Sequence, residues 1–225
     1  MVRDFVVWAE IRHTTDTHCL LNVRSLNNKS FLCHDFITLN NLDFFIITET
    51  WLPEGDDSAL IEATPPDYTH LNQPRLSGKG GGVAAIFRNV FKCIPVSYNS
   101  YTSFEYLGFM VNSCDSTIII IIYRPPKTNS VFIQEFAELV SYFITKHDRI
   151  LILGDFNIHV FCPTHPLVND FIETIDSLGL SQEVQVPTHN KGHTLDLVLH
   201  SGVTPENVET KDILPSLLSV LLLLR

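Results

Sequence analysis

A carboxylate and an amide stand two residues apart at Asp155 and Asn157, directly after the apolar run 150–153 and Gly154. Residues i and i+2 of an extended chain project to the same side, so the pair can form a polar site on rigid support. An ordinary Gly-Asp turn produces the same local sequence. What points to chemistry is the company the pair keeps. Asn22, Glu49, Tyr123 and Asp196 also lie at or near the ends of apolar stretches. If those stretches are strands ending on one rim of a sheet pair, the six side chains converge. Two or three carboxylates and two amides, with no neighbouring cysteine, make a hard, oxygen-rich set that suits Mg²⁺ or Mn²⁺ rather than Zn²⁺. Mg²⁺ keeps several waters and needs only one or two protein carboxylates, so Glu49 with Asp155 would suffice. Taken singly, Glu49 also reads as a solvated strand end, Asn22 as a turn residue and Tyr123 as a core aromatic. Asp196 differs: it interrupts an apolar strand, where a carboxylate is costly unless paired.

The elements that must position these groups follow from periodicity. Residues 18–23, 44–48, 150–153 and 195–200 are strand-length apolar runs. Residues 83–87 and 91–96 read as a hairpin around Arg88-Asn89, and 104–111 with 117–123 as a second antiparallel pair. Helices are expected over 29–41 and 131–146, with one helical turn over 58–63. The 131–146 helix carries an apolar stripe of Phe132, Phe136, Leu139, Val140, Phe143 and Ile144. Another helix follows the Gly154 strand, with Thr164 as its cap, Pro166 in its first turn and Gly179 at its end. Residues 1–17 show no pattern. Strands with antiparallel pairs and a few long helices fit two packed sheets with helices outside.

Composition bounds the rest. A chain of 225 residues with a 45% apolar share and 15 Phe can fill one large core. A formal net charge of −10 disfavours a broad basic surface for nucleic acid, though not local contact with phosphate through a metal ion. Cys19, Cys33, Cys93, Cys114 and Cys162 are scattered and read as reduced thiols. Residues 1–12 mix charges into their apolar residues and make no signal peptide. No apolar run approaches the ~20 residues that span a bilayer. Gly78 and Gly80–Gly82 lack the order of a phosphate loop and read as a flexible hairpin loop. His189 and His193 are four apart, but not on a helix, so a zinc pair is not expected. Ser25 and Ser77 lack a nucleophile-elbow context.

Five motifs occur in order: Leu-Asn-Val-Arg-Ser-Leu at 21–26, Ile-Thr-Glu-Thr-Trp-Leu at 47–52, Ile-Tyr-Arg-Pro-Pro at 122–126, Leu-Gly-Asp-Phe-Asn at 153–157 and His-Thr-Leu-Asp-Leu-Val at 193–198. Together they resemble the endonuclease/exonuclease/phosphatase superfamily. The nearest branch is similar to the apurinic-type endonuclease domain of non-LTR (LINE-type) retrotransposons. The resemblance runs over 18–212. It implies a four-layer α/β sandwich of two mixed β-sheets flanked by helices (DNase I-like), and Mg²⁺-dependent (Mn²⁺ also suitable) nicking of DNA. By motif position, Asn22 and Glu49 bind or support the metal, and Tyr123 contacts the scissile phosphate. Asp155 activates the attacking water, Asn157 helps hold the phosphate, Thr188 is a further phosphate contact, and Asp196 orients a catalytic histidine. That histidine belongs to a terminal Ser-Asp-His motif, and no Asp or His lies beyond Asp212. The last strand is therefore expected to be incomplete and the activity impaired. Residues 1–17 and the leucine-rich 213–225 are expected to lie outside the domain, as in a reading frame cut from a decayed element. DNA is the expected partner, with no membrane and no small-molecule cofactor, for a nuclear or cytoplasmic, non-secreted monomer. The competing readings are a catalytically dead remnant and a superfamily phosphatase.

Overall fold

A computed structural model of the chain describes residues 5–11, 16–75, 78–112, 115–126, 131–162, 165–189 and 191–212. In chain order its elements are β1 (Phe5–Ile11), β2 (Thr17–Asn22), α1 (Ser30–Asn40), β3 (Phe44–Thr48), α2 (Ser58–Ala63), β4 (Tyr68–Gln73), β5 (Val83–Arg88), β6 (Lys92–Val96), β7 (Glu105–Asn112), β8 (Thr117–Tyr123), α3 (Phe132–Ile144), β9 (Ile150–Asp155), α4 (Pro166–Ser177), β10 (Ser181–Gln182), β11 (Asp196–Ser201) and β12 (Pro205–Asp212). The strands form two six-stranded sheets, ordered β12-β1-β2-β3-β5-β4 and β10-β11-β9-β8-β7-β6. Both are mixed: β2 runs parallel to β3 and β8 to β9, while the other pairs are antiparallel.

Strand alternation explains the layering. In β8, Ile118, Ile120 and Ile122 join one apolar cluster with Phe132, Phe136 and Phe143 of α3 and Phe171 of α4. Their neighbours Ile119, Ile121 and Tyr123 face the opposite way, into a cluster shared between the two sheets. β3 divides likewise, with Phe45 and Ile47 beneath α1 and α2, and Phe44 and Ile46 between the sheets. The result is helix, sheet, sheet, helix, which is the expected four-layer α/β sandwich. An apolar run without polar alternation, such as 118–122, is what a strand covered on both faces requires.

Three expectations about the elements are corrected. Residues 5–11, which show no sequence pattern, form β1, paired with β2 on one side and β12 on the other. The strands at 83–88 and 92–96 are not a hairpin: β5 pairs with β3 and β4, whereas β6 pairs with β7 in the other sheet. A short link reads locally as a hairpin turn, and only the packing of the sheets shows it to be a crossover. Gly154 does not end its strand but lies inside β9, beside β8, where a Cβ would sit 1.9 Å from the Ile122 carbonyl oxygen. The Thr164 cap, the leucine-rich 213–225 and the incomplete last strand lie outside the described residues. Among the described residues no helix is long and apolar enough to cross a membrane.

Candidate active site

The same parity that builds the core builds the site. Leu20, Ile121, Leu153 and Val198 all face between the sheets. Two residues along each strand, Asn22, Tyr123, Asp155 and Asp196 therefore project into the same crevice. Registry aligns them further: Tyr123 lies beside Asp155 across the parallel β8–β9 ladder, and Asp196 opposite Asp155 across the antiparallel β9–β11 ladder. Asp196 is the first residue of β11. Because that strand runs antiparallel, its start shares a rim with the ends of β8 and β9.

The first sheet closes the site. The Asn22 side-chain amide donates to Glu49 Oε1 at 2.8 Å and to Asp155 Oδ2 at 2.6 Å, the second bond joining the two sheets. Its Oδ1 accepts from the Arg24 backbone N–H at 3.2 Å. Asn22 thus offers the crevice hydrogen rather than oxygen and is built to support the two carboxylates. Asp155 is fully buried, and its Oδ1 accepts from the Asn157 N–H at 3.2 Å. Asn157, at φ 49°, turns the chain and donates from Nδ2 to the Arg124 carbonyl at 2.7 Å. Tyr123 is buried; desolvation, reinforced by the charges of Glu49 and Asp155, raises its pKa, so the phenol keeps its proton. Thr188 is buried, and its hydroxyl accepts from the N–H groups of Leu195 and Asp196 at 3.0 and 3.1 Å. It braces the start of β11.

Several supporting residues carry little sequence signal. Lys29 Nζ donates to the carbonyls of Val23, Arg24 and Ser25, tying down a loop in which Arg24 and Ser25 both have positive φ. Buried Arg124 donates to the carbonyls of Phe156 and Asn157 at 3.2 and 3.4 Å and lies over the Phe132 ring. Glu105 binds Arg75 and accepts from the Gly82 N–H, and the Arg75 guanidinium stands over Tyr123. The glycine run, expected as a flexible hairpin loop, instead braces the Glu49 segment: the carbonyls of Gly82 and Gly81 accept from Thr50 and Trp51 N–H at 3.3 and 2.9 Å. A Cβ at Gly82 would meet Thr50 Oγ1 at 2.4 Å, so the loop must be glycine there to lie this close. His189 and His193 stand 6.4 Å apart by ring centroid, on a loop rather than a helix.

A crevice holding Glu49, Asp155 and Asp196, with a protonated phenol and buried amides around it, repels an anion unless a cation is present. Its oxygen donors suit a hard divalent ion that retains water. Among the described residues no group of three or more His, Cys, Asp or Glu side chains is placed to hold a metal ion, so a cation here would rest on one or two carboxylates and water.

A family model described as the Endonuclease/Exonuclease/phosphatase family matches residues 19–216. No curated protein matches. Solved structures with the same fold include the endonuclease domain of TRAS1, a telomere-specific non-LTR retrotransposon, at TM-score 0.61 and 12% identity over 85% of this chain and 84% of that one. A 3′ phosphatase, NExo from Neisseria, bound to product DNA hairpin, aligns at TM-score 0.59 and 15% identity over 82% and 86%. The AP endonuclease LMAP from Leishmania major aligns at TM-score 0.60 and 13% identity over 87% and 79%. At such identities the likenesses bear on the fold alone.

Proposed function

The chain belongs to the Endonuclease/Exonuclease/phosphatase family, and from that premise we propose that it nicks DNA by Mg²⁺-dependent phosphodiester hydrolysis, as the endonuclease domain of a non-LTR retrotransposon. The observation that carries the reading is the Asn22 amide set between Glu49 and Asp155, which holds two carboxylates from different sheets over one crevice. Glu49 would hold the cation, with Mn²⁺ able to replace Mg²⁺. When bound, the cation neutralises charge on the scissile phosphate and on the departing oxygen.

The chain's own groups supply the rest. Asp155 orients a water for in-line attack on phosphorus and draws off its proton. As the water oxygen bonds to phosphorus, the bond from phosphorus to the 3′ oxygen breaks; the phosphate stays on the 5′ side, and the departing alkoxide takes a proton from solvent to leave a 3′-hydroxyl that can prime DNA synthesis. The Tyr123 phenol, kept protonated by burial beside two carboxylates, donates to a phosphate oxygen. Asn157 helps hold the phosphate, with Arg124 fixing its loop. Thr188, assigned as a phosphate contact by resemblance, acts here through the backbone of Leu195 and Asp196. Asp196 would orient an imidazole, a role supported by its place opposite Asp155 across the β9–β11 ladder. Residues 213–225 contain no Asp or His. Nicking is therefore expected at least about 10²-fold slower than in a chain whose residues 216–218 are replaced by Ser-Asp-His followed by a family-like strand.

A plasmid-nicking assay with Mg²⁺ tests this on the chain, its Glu49→Gln variant and the repaired chain. Slow nicking that Glu49→Gln abolishes and the repair accelerates is expected. A repaired chain that folds, binds Mg²⁺ and leaves the plasmid intact refutes the nuclease reading. Hydrolysis of phosphomonoesters without nicking would favour the phosphatase reading instead.

A further inference from the structure

Trp51 is 45% exposed, and its indole is nonetheless held in one place. Its Nε1–H donates to Glu49 Oε2 at 3.1 Å. The other oxygen, Oε1, takes the Asn22 amide. The two oxygens of this carboxylate are thus pinned by separate donors, from β2 on one side and from the chain two residues ahead on the other.

The backbone is shaped to make that contact. Glu49 and Trp51 both adopt φ 56°, a left-handed conformation that side-chain-bearing residues rarely take and that costs roughly 1–3 kcal/mol each. Such strain persists only where surrounding bonds over-determine it. Here Ser25 N–H donates to the Glu49 carbonyl at 2.8 Å, Leu26 N–H to the Thr50 carbonyl at 2.9 Å, and Trp51 N–H to the Gly81 carbonyl at 2.9 Å. On the outer side, Gly80 lies flat against the indole, where a Cβ would stand 3.2 Å from Nε1. A solvent-exposed tryptophan with no task needs none of this support.

We propose that Trp51 is the positioning residue for Glu49: its indole N–H fixes the rotation of the carboxylate, so that the remaining lone pairs of both oxygens face the cation. The inference rests on the reading of Glu49 as the cation's ligand. A terminal carboxylate torsion is otherwise broad, so with only the Asn22 bond to Oε1 left the plane of the Glu49 carboxylate would be less narrowly fixed. Loss of an outer-shell partner of this kind typically weakens metal affinity 10–100-fold. Because the bond is exposed to water, the lower end is expected.

Mn²⁺ alone is the probe, followed by calorimetry and by indole emission. The chain has two tryptophans, and Trp8 is buried in β1, so Trp8→Phe leaves Trp51 as the single emitter. In that background, paramagnetic Mn²⁺ should quench emission saturably, and Glu49→Gln should remove the quenching. Trp51→Phe keeps the ring and loses the donor; it should weaken Mn²⁺ about 10-fold while leaving the unfolding midpoint within about 2–4 °C. Trp51→His restores an N–H and should recover part of the affinity. If Trp51→Phe binds Mn²⁺ as tightly as the parent while Glu49→Gln does not, the positioning role is overturned and the metal reading stands. If neither substitution changes Mn²⁺ binding, both fall together.

Discussion

Replacing Asn22 by leucine should destabilise the protein far more than a polar-to-apolar change at a 1%-exposed position normally would. The two side chains branch alike at Cγ, but leucine is the bulkier, so any overpacking adds to the electrostatic loss. Asn22 donates to two carboxylates, and their environments differ. Asp155 is fully buried and receives a 2.6 Å bond. Hydrogen bonds to charged groups are worth about 1.5–3 kcal/mol, and a buried acceptor left without its donor forfeits that amount. Glu49 is half-buried, and water can replace the lost 2.8 Å bond, leaving a deficit of roughly 0.5–1 kcal/mol. Together these give about 2–4 kcal/mol, a large share of the 5–15 kcal/mol typical of a folded domain. Urea unfolding at pH 7 reads the change as a lower midpoint at constant slope. A loss under about 1 kcal/mol would show that the amide does not carry the inter-sheet contact and would undercut the argument that Asn22 holds the carboxylates.

Phe136→Ala should cost about 3–5 kcal/mol, because Phe136 is fully buried against Phe132, Phe156 and Phe171; a cost below about 1 kcal/mol in the same assay would show that α3 is not seated as described. Gly154→Ala should cost about 3 kcal/mol or more, since its Cβ meets backbone at 1.9 Å and nothing flexible can yield; a near-neutral thermal shift would contradict the β8–β9 spacing. His18 is buried and stacked on Phe44, with neither ring nitrogen partnered among the described residues, and burial pushes its pKa down to about 3. The unfolded chain takes up this proton below about pH 6.5 and the folded chain does not, so stability falls as pH drops from about 6.5 toward 3, by up to ~1.4 kcal/mol per unit. His18→Phe should remove that slope and add about 1 kcal/mol or more at pH 7; a variant less stable than its parent at pH 5 would overturn this.

Much of the site was legible in the chain because strand periodicity carries it. Leu153 and Asp155, or Ile121 and Tyr123, face the same way for the same reason, and an apolar run of strand length is enough to say so. Six polar groups at strand ends could therefore be picked out, and two packed sheets with helices outside, before any contact was known; the four-layer sandwich came from the family resemblance. What no periodicity contains is the relation between sheets. The Asn22–Asp155 bond joins residues 133 apart in sequence, and only the packing of one sheet on the other brings them within 2.6 Å. The same packing made β5 and β6 members of different sheets, although the short link around Arg88-Asn89 reads as a hairpin turn. Residues 5–11 hold a short apolar run covered on both faces, but Asp4 and Glu10 beside it obscured the strand, and its pairing with β2 and β12 is what shows it. The glycine run looked flexible because glycine permits any backbone. Its close approach to Thr50 and Trp51 is the tertiary constraint that makes glycine necessary there.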